Sequence, residues 1–356
     1  MTLRQGKAAG HIGAALVLAL VSGACGDAPG ERLLVTSGFT DQIFVLDART
    51  GEVIDSLSLD RRPGERDEPH AVAVSPDGAH FYATLSHGEP SLWKYETEGL
   101  RLVGRLTLPT NGASRVRLSP DGSLAAVPDY WLSGGGQPSR VAFVRTEDMT
   151  LVASPELCAA PHDASFSPDG SQVAVTCTLS DELVLLSAED FQEIERYSMS
   201  NEPGARPLNT AWMPDGRQVL VTLMGRGSYW GLPAANSEGA RPGDRRYVLR
   251  VETGEGPAQI AVSPDGSSVV VANRRAGSVT VTEASGARRH QIQVSGAHPH
   301  GVAFGSDAGV VYVTYEGDTQ SFGGVVAIDV RTGAVLWDTE VGSFTLGVAV
   351  LPPPRG

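Results

Sequence analysis

The sequence has no apolar run long enough to cross a bilayer. Its most apolar stretch, Ile12–Val21, holds ten residues, against the ~20 that a helix needs to span a hydrocarbon core ~30 Å thick. Basic residues are scarce. Lys and Arg number 28 against 41 Asp and Glu, no Lys/Arg cluster exceeds a pair, and the formal net charge is −13. Nucleic acid is thereby excluded as a partner, because neutralising phosphates takes a basic face. A soluble, self-repelling surface is enough to explain the acidity. Cysteine occurs three times, with no CxxC or CxxCH spacing, which excludes a thioredoxin-type motif and covalently attached haem. Glycine-rich phosphate loops and nucleophile–base signatures are missing too.

What is present is glycine (42) and proline (23), the punctuation of many short strands. The clearest unit is Ser263-Pro-Asp-Gly266 between two apolar segments. Proline presets φ, Asp accepts local backbone hydrogen bonds, and Gly tolerates φ > 0. The turn recurs at Ser75–Gly78, Ser119–Gly122, Ser167–Gly170 and Met213–Gly216, and in degenerate form at Gly305–Ala308, with spacings of 44, 48, 46, 50 and 42 residues. A period in the forties with four strands per repeat predicts a β-propeller. In the sixth blade the pattern predicts strands A Gln259–Val262, B Val269–Asn273, C Ser278–Glu283 and D Gln291–Ser295. In the fifth it predicts C at Ser228–Leu232 and D at Tyr247–Val251, with Asn236–Asp244 inserted between them. The start, Leu33–Ser37, Gln42–Asp47 and Val53–Leu59, reads as strands B, C and D without an A, and Thr345–Leu351 as an A strand with nothing after it. The last strand therefore closes the ring onto the first three, giving an all-β, seven-bladed propeller over residues 32–356 with no exposed sheet edge at the seam.

Residues 1–24 read as an export signal: Arg4 and Lys7, the apolar run, then Ser22-Gly-Ala24. With Cys25 the small residues resemble a bacterial lipobox, although Ser22 stands where lipoboxes usually carry Leu. The resemblance implies acyl chains on Cys25, a tether over residues 25–31, and a membrane-anchored protein facing the periplasm or the cell exterior. An ordinary signal-cleavage site is the alternative. In an exported chain, Cys158 and Cys177 are expected to pair. A metal or redox site is the other reading of those two.

Val311-Tyr-Val-Thr314, Val270-Val-Ala-Asn273, Ile328-Asp-Val-Arg-Thr-Gly333 and the repeated turns resemble the YVTN-type (YncE-like) seven-bladed propellers. That resemblance implies an exported, often non-catalytic binding module. Strand direction puts the Ser-Pro-Asp-Gly turns on one face (bottom) and the B–C and D–A loops on the other (top), among them Asp60–Pro69, Tyr130–Ser139 and Glu316–Gly324. Function usually resides on variable loops carried by a rigid scaffold. Three histidines, His70, His162 and His300, share one repeat position, each after a proline at the top of a strand A; His87 and His298 fall in top-face loops. They suit a transition-metal site such as copper, or a loop–strand joint whose imidazole bonds the neighbouring blade. Asp129, Tyr130 and Trp131 complete the candidate ligand contacts at the rim.

The expected function is thus a monomeric, non-catalytic propeller that binds a protein, glycan or small molecule through its top face. No resident cofactor is expected, with copper or another transition metal left open. Two enzyme readings stand as alternatives, a metal-dependent oxidoreductase and a lactonase-like hydrolase. Lactonase-like propellers share a Pro-His followed by a strand and turn, as in Pro161–Gly170, but no carboxylate–His–Arg set stands out in the sequence.

Overall fold

Turn chemistry decides where the strands end. In each Ser-Pro-Asp-Gly turn the serine hydroxyl donates to the aspartate, as from Ser263 to Asp265 (2.6 Å), and accepts the N–H that opens the next strand, here Ser268 (2.9 Å). The turn glycine has positive φ, +72° at Gly266. It also sits against the turn proline of the preceding blade. A Cβ on Gly122 would come within 2.9 Å of Pro76 Cδ, and one on Gly78 within 3.0 Å of Pro352 Cγ. The bottom face is therefore a chain of proline-on-glycine contacts, and Pro352, after the last strand, takes the place of a turn proline.

The computed structural model describes residues 30–353 except 62, 135, 200–203, 236–248, 295–297, 318 and 319. Cys25, the export segment and the insertion at Asn236–Asp244 lie outside the described residues. The described strands form seven antiparallel sheets, and apart from blade 1 each follows chain order from the innermost strand A to the outermost strand D. In blade 2 these are Pro69–Val74, His80–Leu85, Ser91–Glu96 and Leu102–Thr107. Blade 1 takes its strand A from Thr345–Leu351, which pairs antiparallel with Arg32–Ser37. The ring closes as its two chain ends predict. Strand B of blade 6, Ser268–Asn273, is buried throughout, because both of its faces pack against neighbouring blades.

One outermost strand departs from the sequence expectation, while that of blade 1, Val53–Ser58, falls where expected. Strand D of blade 6 runs Arg288–Gln293, earlier than expected; strand D of blade 5 is described over Leu249–Glu252, and its expected start at Tyr247 lies outside the described residues. Blade 6 illustrates why: its D strand carries Arg288, Arg289 and His290 with most positions exposed, so hydrophobicity does not mark it. In blade 3 the outer strand is split into Thr150–Ala153 and Glu156–Ala159, both paired with Pro138–Arg145. Pro155 lies in the break, where it has no N–H to give a ladder.

A belt of side-chain hydrogen bonds stitches the inner strands together. Thr84 Oγ1 accepts the N–H of Ala71 (3.1 Å) and donates to Ser114 O of the next blade (2.7 Å). Thr36, Thr176, Thr222 and Thr314 donate in the same way to His70, Leu208, Ala258 and Leu346 carbonyls. Pro128 holds this position in blade 3, and the Ser114 hydroxyl reaches His162 O instead (2.8 Å). In blade 6 it is Ala272, and Gln259 Oε1 accepts Val302 N–H of blade 7 (3.2 Å). The same register fixes what lies above.

Candidate active site at the channel mouth

The residue after the proline of strand A is the one whose carbonyl this belt holds. His70 and His162 occupy it in blades 2 and 4, and His300 in blade 7. Blades far apart in sequence thereby bring the three rings together: His70 lies 6.2 Å from His162 and 6.0 Å from His300, centroid to centroid, edge to face. His162 Nδ1 bonds Leu208 O (3.0 Å), and His300 Nδ1 bonds Leu346 O (3.4 Å). These are contacts to the neighbouring blade, as the loop–strand joint reading expects. A carbonyl only accepts, so each Nδ1 carries the proton and each Nε2 keeps its lone pair. Burial first, and then the nearby His70 ring, push both imidazoles well below the usual histidine range. Both are neutral at neutral pH. His70 Nε2 is buried with no hydrogen-bond partner among the described residues.

Among the described residues no group of three or more His, Cys, Asp or Glu side chains is arranged to hold a metal ion. Proton transfer and hydrogen bonding are the chemistry this arrangement offers.

Arg115 and Arg274 both act on the His300 imidazole at the mouth. Arg115, one residue further along the inner position of blade 3, is 7% exposed, and its Nε has no hydrogen-bond partner among the described residues. Burial, and then the neighbouring Arg117 cation, bring its guanidinium down to about 9, while Asp163, 4.0 Å away, partly offsets them. Asp163 is itself occupied: Arg117 grips it with two bonds of 2.9 Å, and Thr210 N–H adds a third at 3.0 Å. Burial alone would raise the Asp163 carboxyl, but Arg117 holds it well below the usual carboxylate range. Arg274 is held by Glu316 through bonds of 2.6 and 2.7 Å.

A carboxylate completes the set. Glu68 Oε1 lies 3.8 Å from His70 Nδ1, and Glu68 Oε2 lies 3.2 Å from His87 Nε2. Burial opposes its charge, but the His70 and His87 imidazoles beside it bring the carboxyl down to about 2. Sequence reasoning missed Glu68 and Arg115. The signal available was positional. Glu68 directly precedes a strand-A proline, and Arg115 stands where other blades carry Ala71, Asp163, Asn209, Gln259, Gly301 or Gly347, the one cation at that position.

The remaining candidates divide. Tyr130 packs its ring edge-on to His162 at 4.5 Å and belongs to the mouth. Trp131 folds back on its own loop: a Cβ on Gly134 would meet its ring at 2.6 Å. Asp129 is buried, and its carboxylate accepts the N–H groups of Asn111 and Gly112 (both 2.9 Å), so it shapes a loop. Cys158 and Cys177 form the expected disulfide. Cys158 lies in the split outer strand of blade 3 and not in a loop, so the bridge staples blade 3 to blade 4 beside Pro161 and His162.

The family model described as "Lactonase, 7-bladed beta-propeller" matches residues 46–344. Among solved structures, the periplasmic gluconolactonase of Pseudomonas aeruginosa superposes with a TM-score of 0.70 at 20% identity, over 91% of this chain and 100% of that one. A candidate 6-phosphogluconolactonase of Bacteroides fragilis gives 0.66 at 15% identity, over 90% and 98%. Hydrazine synthase of Kuenenia stuttgartiensis gives 0.62 at 20% identity, over 71% and 80%. At such identities these structures support the fold alone. No curated protein matches the sequence.

Proposed function

The chain belongs to the lactonase seven-bladed β-propeller family, and on that footing we propose that it hydrolyses a lactone at the channel mouth. The observation that carries the reading is the buried, unpartnered Nε of Arg115 beside three imidazoles, one of which, His70, has an unpartnered Nε2. The lactone carbonyl oxygen lies against Arg115, whose cation stabilises the negative charge that develops there. His70 Nε2 takes a proton from water as the water oxygen attacks the carbonyl carbon. The tetrahedral intermediate then collapses, the ring C–O bond breaks, and the departing alkoxide recovers a proton from the His70 imidazolium. Neutral His162 and His300 accept hydrogen bonds from the attacking water and from substrate hydroxyls. A purely binding role for the top face takes second place to this, because it leaves Arg115 Nε and His70 Nε2, buried without a hydrogen bond among the described residues, without a task.

Acid release from a panel of sugar-acid lactones, followed in a pH-stat, tests the proposal. His70→Ala is expected to lower kcat by roughly 10²–10⁴-fold, and Arg115→Ala by about 10²–10³-fold. Wild-type rates no faster than spontaneous opening, or rates that both variants retain, would overturn it. Export is part of the same reading, supported by the signal-like Met1–Ala24 and by a disulfide of the kind that persists in oxidising compartments. Acylation at Cys25 predicts fatty-acid labelling that disappears in Cys25→Ser.

A further inference from the structure

The residue before each strand-A proline position adopts left-handed backbone geometry around most of the ring: φ is +53° at Glu68, +53° at Ala160, +51° at Arg206, +62° at Gly256, +64° at His298 and +58° at Phe344. Glycine holds this conformation freely. Glu68 holds it at a cost of about 1–3 kcal/mol, a strain that the surrounding structure must impose. Its side chain is boxed in. A Cβ on Gly38 would come within 2.9 Å of Glu68 Cγ, and the Glu68 backbone N–H is taken by Asp41 (2.8 Å). The two carboxylate oxygens then face different rings. His70 is on the channel side. His87 is on the solvent side with its side chain 57% exposed.

Opening a lactone yields a hydroxy acid that ionises at neutral pH, so each turnover leaves one surplus proton. It is released in a mouth already carrying the buried charge of Arg115 and the paired charge of Arg274, where a further positive charge is disfavoured.

We propose that Glu68 and His87 form the exit for this proton. After the alkoxide has recovered the first proton, neutral His70 takes the product carboxyl's proton at Nε2 and yields its Nδ1 proton to Glu68 Oε1. The protonated carboxyl turns to carry that proton to the other side, where His87 in its Nδ1–H tautomer accepts it at Nε2 and discharges to buffer. Both imidazoles regain their starting tautomers by exchange with water. No net charge remains in the channel. Glu68 is a carboxylate at rest and holds the proton only in transit. Its bond to Glu68 raises the affinity of His87 for a proton, which suits a terminal acceptor. The charged groups facing this path are Asp41 and Asp67 behind Glu68, Arg66 beside His87, and His162, His300 and Arg115 across the channel. The inference rests on the hydrolytic reading of His70, and its test separates the two.

In dilute buffer of low proton-transfer capacity, kcat of His87→Ala is expected to fall about tenfold and to recover on addition of imidazole, while the wild type is insensitive to imidazole. Glu68→Gln, close in shape, should lose activity without rescue, because its amide cannot pass the proton on. A His87→Ala enzyme with wild-type kcat at every buffer concentration overturns the exit. If the wild type opens no lactone, the hydrolytic reading has failed on its own terms. The linkage is then read by NMR titration of His87: a midpoint that moves to lower pH in Glu68→Gln supports the connection, and an unmoved midpoint overturns it.

Discussion

His162 and His300 are neutral because the fold buries them, and the cost of protonating them appears as pH-dependent stability. An unfolded chain binds these protons near pH 6.5, and the folded chain only well below it. The stability contributed by their neutrality is complete above pH 6.5 and is lost as pH falls, by about 1.4 kcal/mol per pH unit for each histidine. Glu68 adds to the loss lower down, as its carboxylate disappears between 4.5 and about 2. His87 runs the other way, its proton more tightly held in the fold than out of it. Urea unfolding from neutral pH toward pH 5 should show the decline, and His300→Gln should flatten it; an equal slope in the variant would contradict the assignment. Asp163 makes a second expectation at this scale. Replacing it with Ala strands Arg117 without its partner, at a cost of about 3–5 kcal/mol, measurable as a lowered urea midpoint.

The histidines were legible in the sequence because they repeat at one register position, and repetition needs no knowledge of contacts. Glu68 and Arg115 were not, because each occurs once and becomes meaningful only when distant blades meet. Trp131 was misleading for the opposite reason. Its type and place suggested a ligand contact at the rim, but Gly134, three residues on, leaves room for the ring to fold inward.

Among the elements, the turns and the inner strands were readable, since each carries its own chemistry or is apolar on both faces. The outer strand of blade 6 was placed with error because solvent lets it carry charge. The belt of hydroxyls was invisible as a motif, although Thr36, Thr84, Thr176, Thr222 and Thr314 share one position. Thr176 accepts Asp163 N–H (3.0 Å) and donates to Leu208 O (2.8 Å). Thr176→Val keeps the volume and leaves two buried polar groups short of a partner, so the expected loss is about 1–3 kcal/mol for each group left unsatisfied. A cost near zero in thermal or urea unfolding would show that water fills the gap. At the bottom, Gly122→Ala meets both the positive φ of +74° and the Pro76 ring. It should destabilise by more than the ~1 kcal/mol by which glycine-to-alanine changes stabilise at compatible sites.

For the whole ring, cohesion is shared among many seams, and two of them carry something extra. The Cys158–Cys177 bridge between blades 3 and 4 is expected to contribute ~3 kcal/mol, so Cys177→Ser should unfold earlier in urea, with hydrogen exchange rising first around that seam. The seam at blade 1 depends on Thr345–Leu351. A chain ending at residue 344 leaves Leu33, Leu34 and Val35, buried in the intact ring, along an unpaired strand edge. It should be recovered as aggregate, and a monomeric, cooperatively folding truncation would refute that view of the seam.

Supplying blade 1 from both ends of the chain also imposes a schedule. At ~5–20 residues per second, strands B to D of that blade leave the ribosome many seconds before their partner is translated. They wait with an open edge while every other blade is completed. Closure is thus deferred to the end of synthesis, and in an exported chain to the far side of a membrane.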